Sequence, residues 1–196
     1  EYNNFIELGQ RWQDRDGRWS FSATAFQYWL HDQQVIELRN GGGSTTTNAH
    51  RSHARGLELA ASVRPIRTLE LSGFAGVIDA RYDEFVNPID GVDYKGVRFV
   101  STPRHAFGAA LAWQPDERWE VNLSARRQGA ALFSGDNGSN PAYTLVDALI
   151  SYRTGAWTLG LYGKNLLDKV YYTSSHGHIA VPAAPRTVGL RVAMDF

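Results

Sequence analysis

The sequence predicts an all-β protein, an antiparallel transmembrane β-barrel segment of about nine meandering strands. Three observations lead there. Apolar and polar residues alternate with period two, short turns and long loops take turns joining the alternating segments, and aromatic residues bracket the short turns. A period of two marks a strand whose two faces meet different surroundings.

The first two strands fall at about 3 to 13 and 19 to 30, the second with a mixed pattern because Phe21 and Phe26 lie on opposite faces. Leu57, Leu59, Ala61 and Val63 share one face of a strand over 55 to 64. Leu69, Leu71, Ala75 and Val77 do so over 68 to 79, and Phe107, Ala109, Leu111 and Trp113 over 104 to 113. Trp119, Val121, Leu123 and Ala125 oppose Glu120, Asn122, Ser124 and Arg126. The segment 143 to 153 is mixed, with Leu145 and Leu149 on the face of Asp147 and Val146, Ile150 and Tyr152 on the other. Trp157, Leu159 and Leu161 oppose Thr158, Gly160, Tyr162 and Lys164. The clearest alternation is the last, where Val188, Leu190, Val192, Met194 and Phe196 share a face.

Short turns rich in turn-forming residues stand at Asp14-Arg15-Asp16-Gly17, Pro65-Ile66-Arg67, Pro115-Asp116-Glu117 and Thr154-Gly155-Ala156. Long loops run over 31 to 54, 80 to 103, 129 to 142 and 165 to 186. Short turns at one end and long loops at the other are the layout of an outer-membrane barrel. Trp12, Trp19, Trp113, Trp119, Tyr152 and Trp157 flank the short turns, and Phe196 falls at their level. Indole and phenol rings favour the boundary of hydrocarbon and headgroups, so this row reads as an interfacial girdle. About 10 residues rising roughly 3.3 Å each at a tilt near 45° span about 25 Å of apolar band. With the apolar face on lipid, Glu58, Arg64, Glu70, Glu120, Arg126, Lys164, Arg191 and Asp195 face a lumen, where opposite charges pair across strands. Two free sheet edges cannot stand in a bilayer, so further strands are expected to close the wall.

Composition removes other classes. Lys plus Arg total 20 and Asp plus Glu total 20, so no basic stripe for nucleic acid is present. Cysteine is absent, which excludes disulfides, thiolate metal sites and cysteine nucleophiles. No run approaches the roughly 20 apolar residues of a membrane helix. Neither an initiator Met nor a targeting segment precedes the first strand, and the chain reads as a fragment of something longer.

Four segments resemble the TonB-dependent outer-membrane receptors, of the siderophore type, over essentially the whole length. Gly163-Lys164-Asn165-Leu166-Leu167-Asp168-Lys169-Val170-Tyr171 resembles the family's penultimate-strand motif, with Leu167 where Phe is commoner. Pro185-Arg186-Thr187 and the strand ending in Phe196 resemble its terminus. Arg55-Gly56-Leu57-Glu58 resembles a recurring strand start, and Pro103-Arg104-His105 a strand led by proline after a long loop. Gly56, Glu58, Asn165, Leu166, Asp168, Tyr171, Pro185, Arg186 and Phe196 are read as architectural rather than ligand-binding. The resemblance implies that 1–196 is the C-terminal portion of a barrel of roughly 22 strands. The plug and N-terminal strands would be absent from this segment. It also implies that the short turns face the periplasm of a Gram-negative cell and the long loops the outside.

On that reading the function is active uptake of a ferric siderophore coupled to TonB. The implied partners are outer-membrane lipid and lipopolysaccharide, the TonB complex through the missing N-terminal part, and the barrel assembly machinery through the last strand. No cofactor is bound by the segment itself, and the iron-siderophore complex is cargo. Candidate ligand contacts are Arg39, His50, Arg51, His53, Arg55, Tyr82, Tyr94, Arg98, His176 and His178, since large anionic or aromatic chelates suit arginine and tyrosine. The pairs His50 and His53, and His176 and His178, carry imidazoles suited to a metal. No carboxylate pattern accompanies either pair, so neither is read as a metal site. His105, Ser101 and Asp83 match no catalytic motif, and no enzyme is predicted. The rival readings are a small closed outer-membrane barrel acting as a structural protein, adhesin or lipid enzyme, and a soluble lipocalin-like carrier with its apolar residues turned inward.

Overall fold

The computed structural model describes residues 1–38, 43–89, 91–133, 138–176 and 179–195. The strands in chain order are β1 Tyr2–Gln13, β2 Trp19–Leu38, β3 Ser44–Ile66, β4 Leu69–Glu84, β5 His105–Trp113, β6 Trp119–Gln128, β7 Ala131–Leu132, β8 Ser139–Asn140, β9 Tyr143–Thr154, β10 Trp157–Lys164, β11 Tyr172–His176, β12 Ile179–Pro182 and β13 Thr187–Met194. Nine of them form one antiparallel sheet in the order β1-β2-β3-β4-β5-β6-β9-β10-β13. Two small hairpins, β7 with β8 and β11 with β12, sit within long connections. The order is a plain meander, as expected. β1 and β13 remain edges among the described residues, so a small self-closed barrel is not what these strands make.

Register settles the two mixed strands, because residues directly opposite one another share a face. Phe21 lies opposite Trp12 and Ala61, whereas Phe26 lies opposite Gly56. In β9, Ile150 lies opposite Val121 and Leu161, while Asp147 lies opposite Ser124. Phe21, Val146, Ile150 and Tyr152 therefore join the outward face, and Phe26, Leu145, Asp147 and Leu149 point inward. The outward face is apolar yet uncovered: Leu8 is 72% exposed, Leu161 51% and Leu190 80%. Such a stripe stays dry only against hydrocarbon, which also excludes a carrier with its apolar residues turned inward.

Five of the six tryptophans end the outward face at the short turns, where Trp119 packs on Tyr152 with ring centroids 4.7 Å apart. The turns are closed by local bonds. Gly17, at φ 66°, donates to Asp14 O, and the Asp116 carboxylate accepts from the N–H groups of Arg118 and Trp119 at 2.8 and 2.9 Å. The inward face carries the expected charges, with Arg64 on Glu70 at 2.8 Å, and a Ser20–Ser62 hydroxyl pair at 2.8 Å. The Phe26 ring lies over Gly56 and the Tyr162 ring over Gly189, so each glycine occupies a spot where a Cβ would strike an aromatic ring.

The first long connection departs from the sequence expectation. The stretch 31 to 54 is strand for most of its length, with β2 and β3 paired from Gln33–Ala49 out to Leu38–Ser44. Its Gln33, Gln34, Thr45, Thr46 and Thr47 supply backbone partners and β-branched residues but no apolar alternation, so periodicity could not reveal it. β4 likewise continues past residue 79 to Glu84.

Candidate functional site at the long-loop end

Two asparagines organise the end of the wall opposite the tryptophan rim. Asn165 is 5% exposed and left-handed at φ 49°, a conformation asparagine tolerates better than most residues. Its backbone N–H donates to the Asp147 carboxylate at 2.7 Å. Its side-chain amide donates to Lys169 O and accepts from the Lys169 N–H, both at 2.9 Å, and reaches Ala184 O at 3.4 Å. Asp168, at φ 51°, accepts from the Arg186 N–H at 3.2 Å and faces its guanidinium at 3.6 Å. Two sequence segments some twenty residues apart thus form one knot that joins the exit of β10, the flank of β9 and the entry to β13.

Asn140 is the second anchor. It donates to Tyr172 O at 2.8 Å and accepts from the Tyr172 N–H at 3.4 Å. Tyr143 stacks on Tyr171 at 4.4 Å, and Phe133 meets Tyr172 edge-on. Further along, Val100 bridges Leu132, and Ser101 N–H donates to Leu132 O at 2.8 Å. The three long connections that follow β4 are therefore linked in series, the one after β6 touching each of the other two.

The outer part of β2, β3 and β4 has a small core of its own. Ala49, Tyr82 and Phe85 are buried together, with Val35, Tyr94 and Phe99 packed against them. A shift in the β3–β4 register makes this possible: Ser52 lies opposite Tyr82 but Arg51 opposite Glu84, so β4 carries one extra residue, Asp83. Below it Tyr82 lies opposite Ser52, an even position; above it the odd position Ala49 joins the cluster of Tyr82. A bulge of one residue exchanges the faces of the strand beyond it. The segment after Phe85 then folds back along β4, with Phe99 N–H bonded to Ala80 O, Tyr82 N–H to Val97 O, and Arg98 bridged to Arg81.

This geometry sorts the candidate residues. Tyr82, 5% exposed, is enclosed between Phe85 and Phe99 and serves the loop core rather than a binding surface. Tyr94 packs on Phe85 at the rim of that core. Arg51 forms a two-pronged ion pair with Glu84 at 2.6 and 2.8 Å, and His50 approaches Asp32 at 3.4 Å. His53 meets Asp83 at 2.8 Å, and Arg55 meets Asp79 at 3.4 Å. His53 and Arg55 share the face of Leu57, and Arg98 shares that of Arg81, so all three point outward, away from the lumen. That is a departure from the ligand-contacting position expected for them. Its cause is strand parity, which continues unbroken from the membrane band up to the register shift. Arg39, His178 and Phe196 lie outside the described residues, as does the side chain of His176.

Asp79, Arg81 and Glu84 are not singled out in the sequence, and Asp83 only beside Ser101 and His105, because only register pairs them with their partners. The hydrogen bond from Arg81, together with the charges of Arg81 and Arg55, holds the Asp79 carboxyl below the usual carboxylate range against an opposing effect of burial. Asp79 stands beyond Val77, the last apolar outward position of β4. Among the described residues no three acidic or imidazole side chains converge as a metal would need.

Comparison with known proteins bears on this arrangement. A family model described as TonB dependent receptor-like, beta-barrel matches residues 1–166. The metal-pseudopaline receptor CntO of Pseudomonas aeruginosa is 28% identical over 97% of this chain and 27% of its own length. The ferric-pyoverdine M114 receptor PbuA of Pseudomonas sp. (strain M114) is 26% identical over 97% of this chain and 24% of its own. The crystal structure of the ferric yersiniabactin uptake receptor FyuA from Yersinia pestis superposes with a TM-score of 0.82 at 25% identity, covering 99% of this chain and 30% of that one. The chain thus spans about a quarter of the length of the curated relatives it matches.

Proposed function

Because this chain belongs to the TonB-dependent receptor family, as part of its outer-membrane β-barrel, we propose that it is the C-terminal section of a receptor that imports a metal bound to a small chelator. The observation that carries this reading is the likeness to CntO and PbuA along 97% of the chain, named respectively for metal-pseudopaline and ferric pyoverdine. A ferric siderophore is the specific cargo inferred, and TonB, reached through strands and a plug outside this segment, is the inferred source of energy.

The long-loop end suits that task. A fixed set of connections, tied by Asn165 and Asn140, supports an aromatic cluster edged by Tyr94 and by the Arg51–Glu84 pair. Arginine offers a planar cation to carboxylate, catecholate or hydroxamate groups of a chelate, and tyrosine a face for its rings. Of the candidate contacts whose side chains are among the described residues, His50, Arg51 and Tyr94 are the ones assigned that role here. The test is uptake of radiolabelled iron and zinc by metal-starved cells carrying the full-length receptor, with a panel of chelators. Accumulation of iron with one siderophore, lost on deletion and restored by the gene, supports the reading. Uptake of zinc with a chelator but never of iron moves the cargo to another metal, and no uptake of either defeats the proposal.

A further inference from the structure

Beyond uptake, the long connections after β4 hold a continuous run of pairing that the wall itself does not need. It starts at the edge of β4, where Tyr82 N–H donates to Val97 O at 3.0 Å and Phe99 N–H to Ala80 O at 3.1 Å. The strip turns at Ser101, left-handed at φ 55°, whose N–H donates to Leu132 O at 2.8 Å beside the Val100–Leu132 bridge. β7 then pairs with β8, Leu132 opposite Ser139 and Ala131 opposite Asn140. Beyond Asn140 the next partner is β11, itself paired with β12 from Tyr172–Pro182 to His176–Ile179. Among the described residues, Asn140 is where a side chain takes the place of a main-chain rung in this run. Its amide gives a donor to Tyr172 O and an acceptor to the Tyr172 N–H, as a peptide group would.

We propose that this rim is a coupling device, in which order at the cluster of Tyr82, Phe85 and Phe99 is passed through Asn140 to the β11–β12 hairpin. Phe99 belongs to the strip and to the cluster at once, its ring centroid 4.8 Å from that of Tyr82. Ser101 is a non-glycine residue at positive φ, a conformation that persists only where its surroundings enforce it, so the strip and β7 are fastened to each other rather than merely adjacent. Asn140 is 8% exposed, so parting from Tyr172 leaves a buried amide short of its bonds, and the two connections separate only at a cost. The foot of the hairpin is pinned independently, by Asn165 to Lys169 and Ala184 and by Asp168 to Arg186, which leaves its upper part to the rim. Phe133 also meets Tyr172, edge-on at 6.1 Å, a contact that fixes no register. Tyr94 packs against the same cluster, so a solute resting on Tyr94 is felt at β11–β12. That consequence rests on the contact role given to Tyr94 above, whereas the coupling does not and is read with no solute present.

The experiment is amide hydrogen exchange of the full-length receptor in neutral detergent, read by mass spectrometry over 96 to 101, over β11 and β12, and over β9 and β10 as the reference. Phe99→Ala opens the cluster, and the milder Phe99→Leu takes its place if the alanine variant does not fold. Exchange in β11 and β12 is expected to rise about threefold in Phe99→Leu, and further in Phe99→Ala, with β9 and β10 unchanged. In an Asn140→Ala background, where the hairpin is already loosened, the added effect of Phe99→Leu is expected to be no more than about 1.5-fold. Unchanged exchange in β11 and β12, whether or not 96 to 101 loosens, would overturn the proposal. So would an equal rise with and without Asn140, or a rise shared with β9 and β10.

Discussion

The backbone N–H of Asn165 donates to the carboxylate of Asp147 at 2.7 Å, and this bond lets a left-handed turn at the end of β10 lean on the inward face of β9. Asn165 alone satisfies the geometry, since it accepts a positive φ and offers both a donor and an acceptor to Lys169. Replacement by alanine removes both bonds to Lys169 from a buried side chain and adds backbone strain. Asn165→Ala is expected to lower the stability of the full-length barrel by about 2 kcal/mol. Asn165→Gly, which relieves φ but restores no bond, should recover only part of it. Denaturant midpoints in detergent measure both, and an unchanged midpoint for the alanine variant would refute the role.

Asn140 ties the connection after β6 to β11 with two bonds to one residue, Tyr172. Without them the β11–β12 hairpin keeps the Tyr143–Tyr171 stack as its principal hold. Hydrogen exchange of backbone amides over 171 to 176 and 179 to 182 is expected to rise at least several-fold in Asn140→Ala, while β9 and β10 stay protected. Protection that falls equally across the wall would show a global effect instead.

Gly56 lies between the Val77 carbonyl oxygen and the Phe26 ring, and an added methyl strikes both, so the β4 backbone as well as the ring must shift. Gly56→Ala is expected to destabilise the barrel by about 1–3 kcal/mol. The double variant Gly56→Ala with Phe26→Ala should be less impaired than the sum of the two single changes. Additive losses would mean that the ring and the glycine do not meet.

Asp79 has its pKa lowered by Arg81 and Arg55, so its charged form favours the folded state. The stability difference between the native residue and Asp79→Asn is therefore expected to be full at pH values above the ordinary 3.8 and to shrink as pH falls through the lowered folded-state value. Thermal unfolding of both proteins from pH 7 down to the acid range checks this. A difference that widens on acidification would contradict the sign.

Alternation made seven of the nine wall strands legible, because lipid on one side and a polar lumen on the other impose period two on residues such as Leu57 and Glu58. The strands over 19 to 30 and 143 to 153 were not, since Phe26, Leu145 and Leu149 are apolar residues that face inward. There they cover neighbours such as Gly56 rather than meet lipid. The outer hairpin of β2 and β3 escaped notice for a different reason. Its two faces both meet water or a small local core, so no alternation is imposed on Gln33 to Thr47. Of the candidate contacts, residue type was readable but direction was not.

The sequence by itself determined the class, the number of wall strands, the end at which the short turns lie and the motifs at Gly56, Asn165 and Arg186. These follow from solvent contrast and turn chemistry, which act on neighbours along the chain. Only the tertiary structure decided that Asn165 and Arg186 belong to one knot, that a shift between Arg51 and Ser52 exchanges inside and outside, and that His53, Arg55 and Arg98 face outward. Each of these depends on cross-strand register, and register is fixed by pairing between residues far apart in sequence, where a slip of one position reverses every side chain.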